Sequence, residues 1–306
     1  MSASGSTRAI LAALTANAGI AVAKFIGYII TGSSSMLAEA VHSVADTSNQ
    51  ALLLLGQRRA KREATELHQF GYGRSRFFYS FVVALVLFSL GAVFAILEGY
   101  HKIGHPEPLK SPLVAVVILA VAIGLETYSF RTAMVESRPL KGTGTWWQFI
   151  RRSRNPELPV VLLEDTGALL GLAFALTGVG LTMITGNPIW DGVGTVLIGF
   201  LLGVIAVILM VEMHSLLIGE GATGEESGAI QAALEQTEHV ERVIHLRTQY
   251  LGPEEMLVAA KIALAPSADL TTVAAAIDRA EAAVRSVVPT AHLIYIEPDL
   301  DRSAAR

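Results

Sequence analysis

Cysteine is absent from all 306 residues. Disulfides and thiolate metal sites are therefore excluded, and any bound metal must take nitrogen or oxygen ligands. Charge is scarce as well: 16% of residues are charged and 52% are hydrophobic, with a mean hydropathy of +0.50. That balance is too apolar for an ordinary water-soluble protein of this length and implies a polytopic membrane protein. The net charge of −4 gives nucleic acid nothing to bind, so none is expected as a partner. No His-Glu-x-x-His run occurs, which removes one signature of a membrane metalloenzyme.

What the chain does have is long apolar runs, confined to the stretch before about residue 218. Six of them reach the roughly 20 residues needed to cross a bilayer as a helix. They fall near 8–30, 34–56, 77–99, 111–135, 158–184 and 189–217. Turn chemistry separates them at Gly32-Ser33-Ser34, at Pro106 and Pro108, at Arg138-Pro139 and at Gly186-Asn187-Pro188. Arg8 leads straight into the first run, so a retained span is expected there in place of a cleavable signal. Basic residues gather in the second connection (Arg58, Arg59, Lys61, Arg62, Arg74, Arg76) and the fourth (Arg138, Lys141, Arg151, Arg152, Arg154). The positive-inside rule then puts both termini in the cytoplasm, among lipid headgroups that Arg58–Arg62 would meet.

Beyond the last span the pattern changes. Glu225–Gln236 reads as a helix, Val240–Tyr250 and Met256–Leu264 as strands around a Gly252-Pro253 turn, Leu270–Val288 as a helix and His292–Glu297 as a strand. The expected architecture is an α-helical polytopic membrane protein: a six-helix transmembrane domain over 1–219 and a small αββαβ cytoplasmic domain over 220–306. A domain this small has a thin core, and pairing with a second copy would help it.

Two stretches place acids and a histidine where lipid should be. Ser35–Asp46 carries Glu39, His42 and Asp46, and Val160–Gly167 carries Glu164 and Asp165. Ionisable groups at the bilayer centre are costly and rarely occur without a pathway or a partner. His42 and Asp46 are four apart and share a helical face. Imidazole with carboxylates and no thiolate suits zinc, with manganese, iron and cobalt as alternatives. Glu126 in the fourth span pairs with Arg131 or Lys24, or serves as a proton carrier or auxiliary ligand. Glu98 sits near an interface where it can be hydrated. Asp191 follows Asn187-Pro188 and is expected to cap the sixth helix.

Thr31–Asp46 resembles the second-helix signature of cation diffusion facilitators, and Phe70-Gly71-Tyr72-Gly73-Arg74 resembles that family's Phe-Gly-His-Gly-Lys/Arg loop. The resemblance covers nearly the whole chain. It implies a homodimer, joined through the C-terminal ferredoxin-like domain, that exports a divalent ion from the cytoplasm in exchange for protons by alternating access. The ion is cargo; no prosthetic group is implied. The family's second-helix ligands fall on His42 and Asp46. Its fifth-helix His-x-x-x-Asp places the aspartate on Asp165 and the histidine on Val161, so one ligand is missing. Glu164 either fills the vacated space, or pairs with a basic residue or faces a neighbouring helix, and water or Asn17 are other candidates to complete the shell. Glu39, His42, Glu126 and Asn17 are the candidates for proton or auxiliary roles. Arg74 matches a basic residue of a cytoplasmic charge interlock, with Glu212 or Glu220 as partner.

Ser153-Arg154-Asn155-Pro156 and Leu163-Glu164-Asp165-Thr166 resemble the branch that holds the animal mitochondrial zinc exporter and its bacterial relatives. A bacterial inner membrane is the expected location. The tail has His239, His245 and His292, but Tyr295 stands where family members carry a metal-binding histidine, so dimerisation is its expected role. A membrane metal-dependent enzyme and a metal sensor without transport are the rival classes.

Overall fold

The computed structural model describes the backbone of residues 3–300 and the side chains of 17–300. Long helices fill the first two-thirds: α1 (Ala3–Thr31), α2 (Ser34–Ala60), α3 (Ser75–Val86) continuing through a π-helical segment (Leu87–Val93) into α4 (Phe94–Gly104), α5 (Pro112–Lys141), α7 (Glu157–Thr185) and α8 (Ile189–Ile218). A short helix, α6 (Trp146–Arg152), interrupts the fourth connection. Periodicity did not predict it, since seven residues hold barely two turns. Its signal was local: Thr145 and Gln148 close a reciprocal capping box at its start.

Among the described residues, four helices are long and apolar enough to cross a membrane: Ser75–Gly104, Pro112–Lys141, Glu157–Thr185 and Ile189–Ile218. α2 fails that composition test because of the polar residues that single it out. It still has two distinct faces. Val44, Ser48 and Leu55 are exposed, while Glu39, His42, Asn49 and Leu53 are buried, which is the helical period of a span packed on one side. Val22, Ile29, Val117 and Phe200 are exposed apolar side chains on their helices, as a lipid-facing surface requires. Helices close in where side chains vanish: a Cβ on Gly199 of α8 would lie 2.7 Å from the Ile96 backbone nitrogen of α4, whereas Gly180 faces open space.

After the helices come α9 (Gly224–Glu235), β1 (Val240–Gly252), β2 (Glu255–Leu264), α10 (Leu270–Val287) and β3 (Ala291–Asp299), the expected αββαβ order. The sheet runs β1-β2-β3, with β1 antiparallel and β3 parallel to β2. Met256, Val258, Ala260 and Ile262 alternate inward along β2 and are buried. Val258 joins Ile230 and Leu234 of α9 and Val284 of α10 in one apolar cluster, so both helices cover the same sheet face.

The chain forms two compact units. One holds the described residues up to Gln57 with Phe78–His214, and the other holds Arg58–Phe77 with the residues from Ser215. Within the second unit the α2–α3 loop lies against the β1–β2 turn. A Cβ on Gly73 would meet the Leu251 carbonyl oxygen at 2.7 Å, so only glycine permits that approach. Arg76 reaches Glu254 at 3.6 Å beside it.

Candidate functional site

The site begins with how α2 starts. The first backbone N–H groups of a helix lack partners within it, and an acceptor near them is stabilising. Here the acceptor comes from another helix. The Asp191 carboxylate, buried in the first turn of α8, accepts from the Ser34 backbone N–H at 2.7 Å, the Ser35 N–H at 3.3 Å and the Ser33 hydroxyl at 2.7 Å. The Ser35 hydroxyl donates to it as well. This corrects the sequence expectation that Asp191 caps its own helix. Proximity in sequence pointed to α8, while the free donors were those of α2. Glu98, expected to be hydrated, instead accepts from the Ser34 hydroxyl at 2.8 Å.

From that anchor α2 carries His42, Asp46 and Asn49 on one buried side, at spacings of four and three. His42 Nδ1 lies 3.6 Å from Asp46 Oδ1, which is too far for a hydrogen bond. Both ring nitrogens of His42, Asp46 Oδ1, Asn49 Oδ1 and Glu39 Oε1 are buried without a hydrogen-bond partner. Buried polar atoms are nearly always paired, and these are mostly acceptors, the set a cation could satisfy.

α7 presents the two further acids. Glu164 accepts from Asn49 Nδ2 at 2.6 Å, and Asp165 accepts from the Ser129 hydroxyl of α5 at 3.2 Å. Glu164 thus faces α2, the neighbouring-helix alternative of the sequence reading, with an amide as its partner in place of a base. Asp165 and Glu126 act electrostatically on Asp46, and Asp46 on Glu164. Val161 belongs to an apolar cluster with Phe130, Met134 and Phe149, so the position the family gives to histidine is turned to packing here. Among the described residues, no three His, Asp or Glu side chains draw together closely enough to hold an ion in this arrangement. His42 with Asp46 is the pair the structure assembles; Glu164 and Asp165 are each tied to a neighbouring helix.

Other expectations change partners. Lys24 bonds to Glu39 at 3.0 Å and to the Ser43 hydroxyl at 2.8 Å, and Glu126 forms no ion pair with Lys24 or Arg131 among the described residues. Glu39 Oε1 lies so near α7 that a Cβ on Gly171 would sit 2.5 Å from it. Asn17 is half-buried and makes no hydrogen bond to these residues among those described. Arg74 is exposed, while Glu212, one of its suggested partners, accepts from Arg151 Nε at 3.1 Å. In the tail His239, His245 and His292 are exposed, and the open groove lined by His245 and Tyr295 also holds Arg247, whose fixed positive charge opposes a metal cation. Sequence reasoning missed Asn49 and the pairing of Lys24. Asn49 was findable, since it lies three residues after Asp46 on the same face.

Residues 10–218 match the cation efflux transmembrane domain, and residues 222–299 match the cation efflux protein cytoplasmic domain. The chain therefore belongs to the cation efflux family, a family of membrane transporters and not of enzymes. Among its relatives are the mitochondrial proton-coupled zinc antiporter SLC30A9 of Mus musculus, 34% identical over 81% of this chain and 44% of the relative, and the Homo sapiens protein of that name, 33% identical over the same shares. Metal tolerance protein C4 of Arabidopsis thaliana is 30% identical over 84% of this chain and 57% of the relative. The chain spans about half the length of these curated relatives. The motif-based resemblance to cation diffusion facilitators, and to their mitochondrial zinc branch, is borne out.

Proposed function

We propose that this chain moves a divalent metal ion, zinc before manganese, iron or cobalt, across a membrane in exchange for protons. The observation that carries the reading is the buried His42–Asp46 pair, with both imidazole nitrogens and one carboxylate oxygen free of hydrogen bonds. The ion binds at His42, Asp46 and Asp165, and Glu164 turns from Asn49 to complete the shell. Oxygen ligands outnumber nitrogen in that set, so the site is harder than a histidine-rich one and tolerates manganese or iron better.

Coupling follows from ligand chemistry. A metal binds neutral imidazole and ionised carboxylates, so its arrival releases protons and its departure allows them back. Histidine titrates between pH 5 and 8 when unperturbed, which makes His42 the leading proton carrier. Alternating access exposes this cluster first to the cytoplasm and then to the other side. The distribution of basic loop residues supports a cytoplasmic placement of both termini, and the resemblance to the cation efflux family supports export. The match to the family's cytoplasmic domain supports a homodimer joined there, and the resemblance to bacterial members of the branch supports a bacterial inner membrane.

The test is zinc uptake into proteoliposomes driven by an imposed pH gradient. Uptake should be present in the wild type and absent in both His42→Ala and Asp165→Ala. Normal uptake in both variants rules out this site. The relatives' names describe zinc antiport, so zinc flux that ignores the pH gradient would sink the coupling while leaving the transport reading.

A further inference from the structure

Lys24 is the one charged residue between Ala9 and Thr31, and it is fully buried. A lone ammonium in a span needs a partner facing it. Lys24 has two on α2: Glu39 Oε2 at 3.0 Å and Ser43 Oγ at 2.8 Å. Glu39 is one helical turn before His42 and therefore on the face that carries His42 and Asp46. Its other oxygen has no hydrogen-bond partner and lies over Gly171 of α7, where a Cβ would come within 2.5 Å. The Lys24 charge also acts on both His42 and Asp46. So, among the described residues, the ammonium bonded to this side of α2 sits beside the candidate metal residues and holds Glu39, a carboxylate that the proposed ion site does not use.

We propose that Lys24 is a tethered cation: its ammonium occupies one cation position of the intramembrane acid cluster, withholds Glu39 from the metal, and limits the cluster to a single divalent ion. The inference rests on the reading of His42, Asp46 and Asp165 as the ion site and adds what sets its capacity. Glu39, His42 and Asp46 lie at successive turns of α2. Without the ammonium, Glu39 would be a buried carboxylate with no counter-charge, a state relieved by a proton or by another cation. In a transporter of divalent metal the other cation at hand is the substrate, which competes with the proton for that oxygen pair. The ion would then be held by an additional carboxylate, or a second ion would enter, and either outcome slows release. A plain helix-to-helix staple between α1 and α2 would have no such effect on metal occupancy.

Full-length protein in detergent micelles, titrated with zinc by calorimetry and with cobalt by its visible absorption, reads both capacity and affinity. The wild type should take one tight equivalent per chain. Lys24→Met should take a second equivalent or bind the first at least tenfold tighter, and Lys24→Met/Glu39→Met should return to one equivalent at wild-type affinity. Lys24→Arg, which keeps the cation, should match the wild type. Unchanged stoichiometry and affinity in Lys24→Met overturn the proposal, as does a gain that survives removal of Glu39. If Lys24→Met does not fold, the charge-free double variant decides alone: loss of its zinc equivalent makes Glu39 a ligand and the proposal wrong. Failure of the underlying site shows separately, as zinc binding retained in His42→Ala.

Discussion

In the membrane unit Glu39 meets one lysine and keeps its second oxygen buried and unpartnered. In the C-terminal unit Lys261 of the central strand β2 serves two carboxylates of β3 at once, Glu297 at 2.8 Å and Asp299 at 3.1 Å. Among the described residues, the buried carboxylate and imidazole atoms without partners all lie in the first unit. The same side-chain types thus do two different things. Near water, a carboxylate can be satisfied by solvent, so its ion pairs add little and can be numerous. In a span, every missing partner costs free energy and persists only if something outside the chain supplies it. The shortage of partners, and not the number of charges, sets the proposed cargo site apart from the rest of the chain.

That contrast can be broken at both ends. The largest effect is expected from Asp46→Ala, which removes a ligand carboxylate: zinc affinity of the purified protein should fall by roughly 100-fold or more, with helical content unchanged by circular dichroism. In the C-terminal unit the large effect should instead be on stability. Leu234 is fully buried in the cluster between α9 and the sheet, so Leu234→Ala should cost about 2–5 kcal/mol in the unfolding of that unit while zinc affinity stays at the wild-type value. A loss of zinc affinity equal to that of Asp46→Ala would erase the distinction between the units.

Smaller changes sharpen it. Glu164 must leave its 2.6 Å bond to Asn49 to join the proposed shell, so Asn49→Ala, which removes that competing donor, should tighten zinc binding by up to about tenfold. A weaker or unchanged affinity would take Glu164 out of the proposed shell. The smallest effect belongs to Asp269, the N-cap of α10, whose carboxylate accepts from the Thr272 N–H at 2.9 Å. That bond holds its pKa below the ordinary aspartate value. The cap's contribution is therefore complete above the unfolded value near pH 4 and lost as pH falls through the lowered one. A slight loss of melting temperature on acidification should be present in the wild type and absent in Asp269→Asn.

The sequence carried the fold well where periodicity is strong. The last two spans and all five elements of the C-terminal unit fall within a few residues of expectation, because alternation and amphipathic spacing are one-dimensional signals. Partners are not. Asp191 read as a cap for the helix it begins, and only the packing of α8 on α2 could reveal whose donors it serves. Lys24 and Glu39 are fifteen residues apart on different helices, with no spacing rule to join them. Val161 was legible as a departure from the family's pattern. Its half-buried packing beside Phe130, Met134 and Phe149 shows this position serving a helix contact, which no single-residue comparison reports.

The Asp191 bonds to Ser33, Ser34 and Ser35 also have a mechanical meaning. They fasten one end of a 27-residue rod, about 40 Å long at 1.5 Å per residue. With the heaviest anchoring at that end, a tilt of the rod acts as a lever about it. His42 and Asp46 stand roughly 12–18 Å from the fulcrum, and the basic tip at Arg58 and Arg59 stands more than twice as far out. A tilt of α2 about that end would shift His42 and Asp46 modestly and its far end by a wider arc, so a small change of angle at the proposed ion site is a larger displacement at the helix's other end.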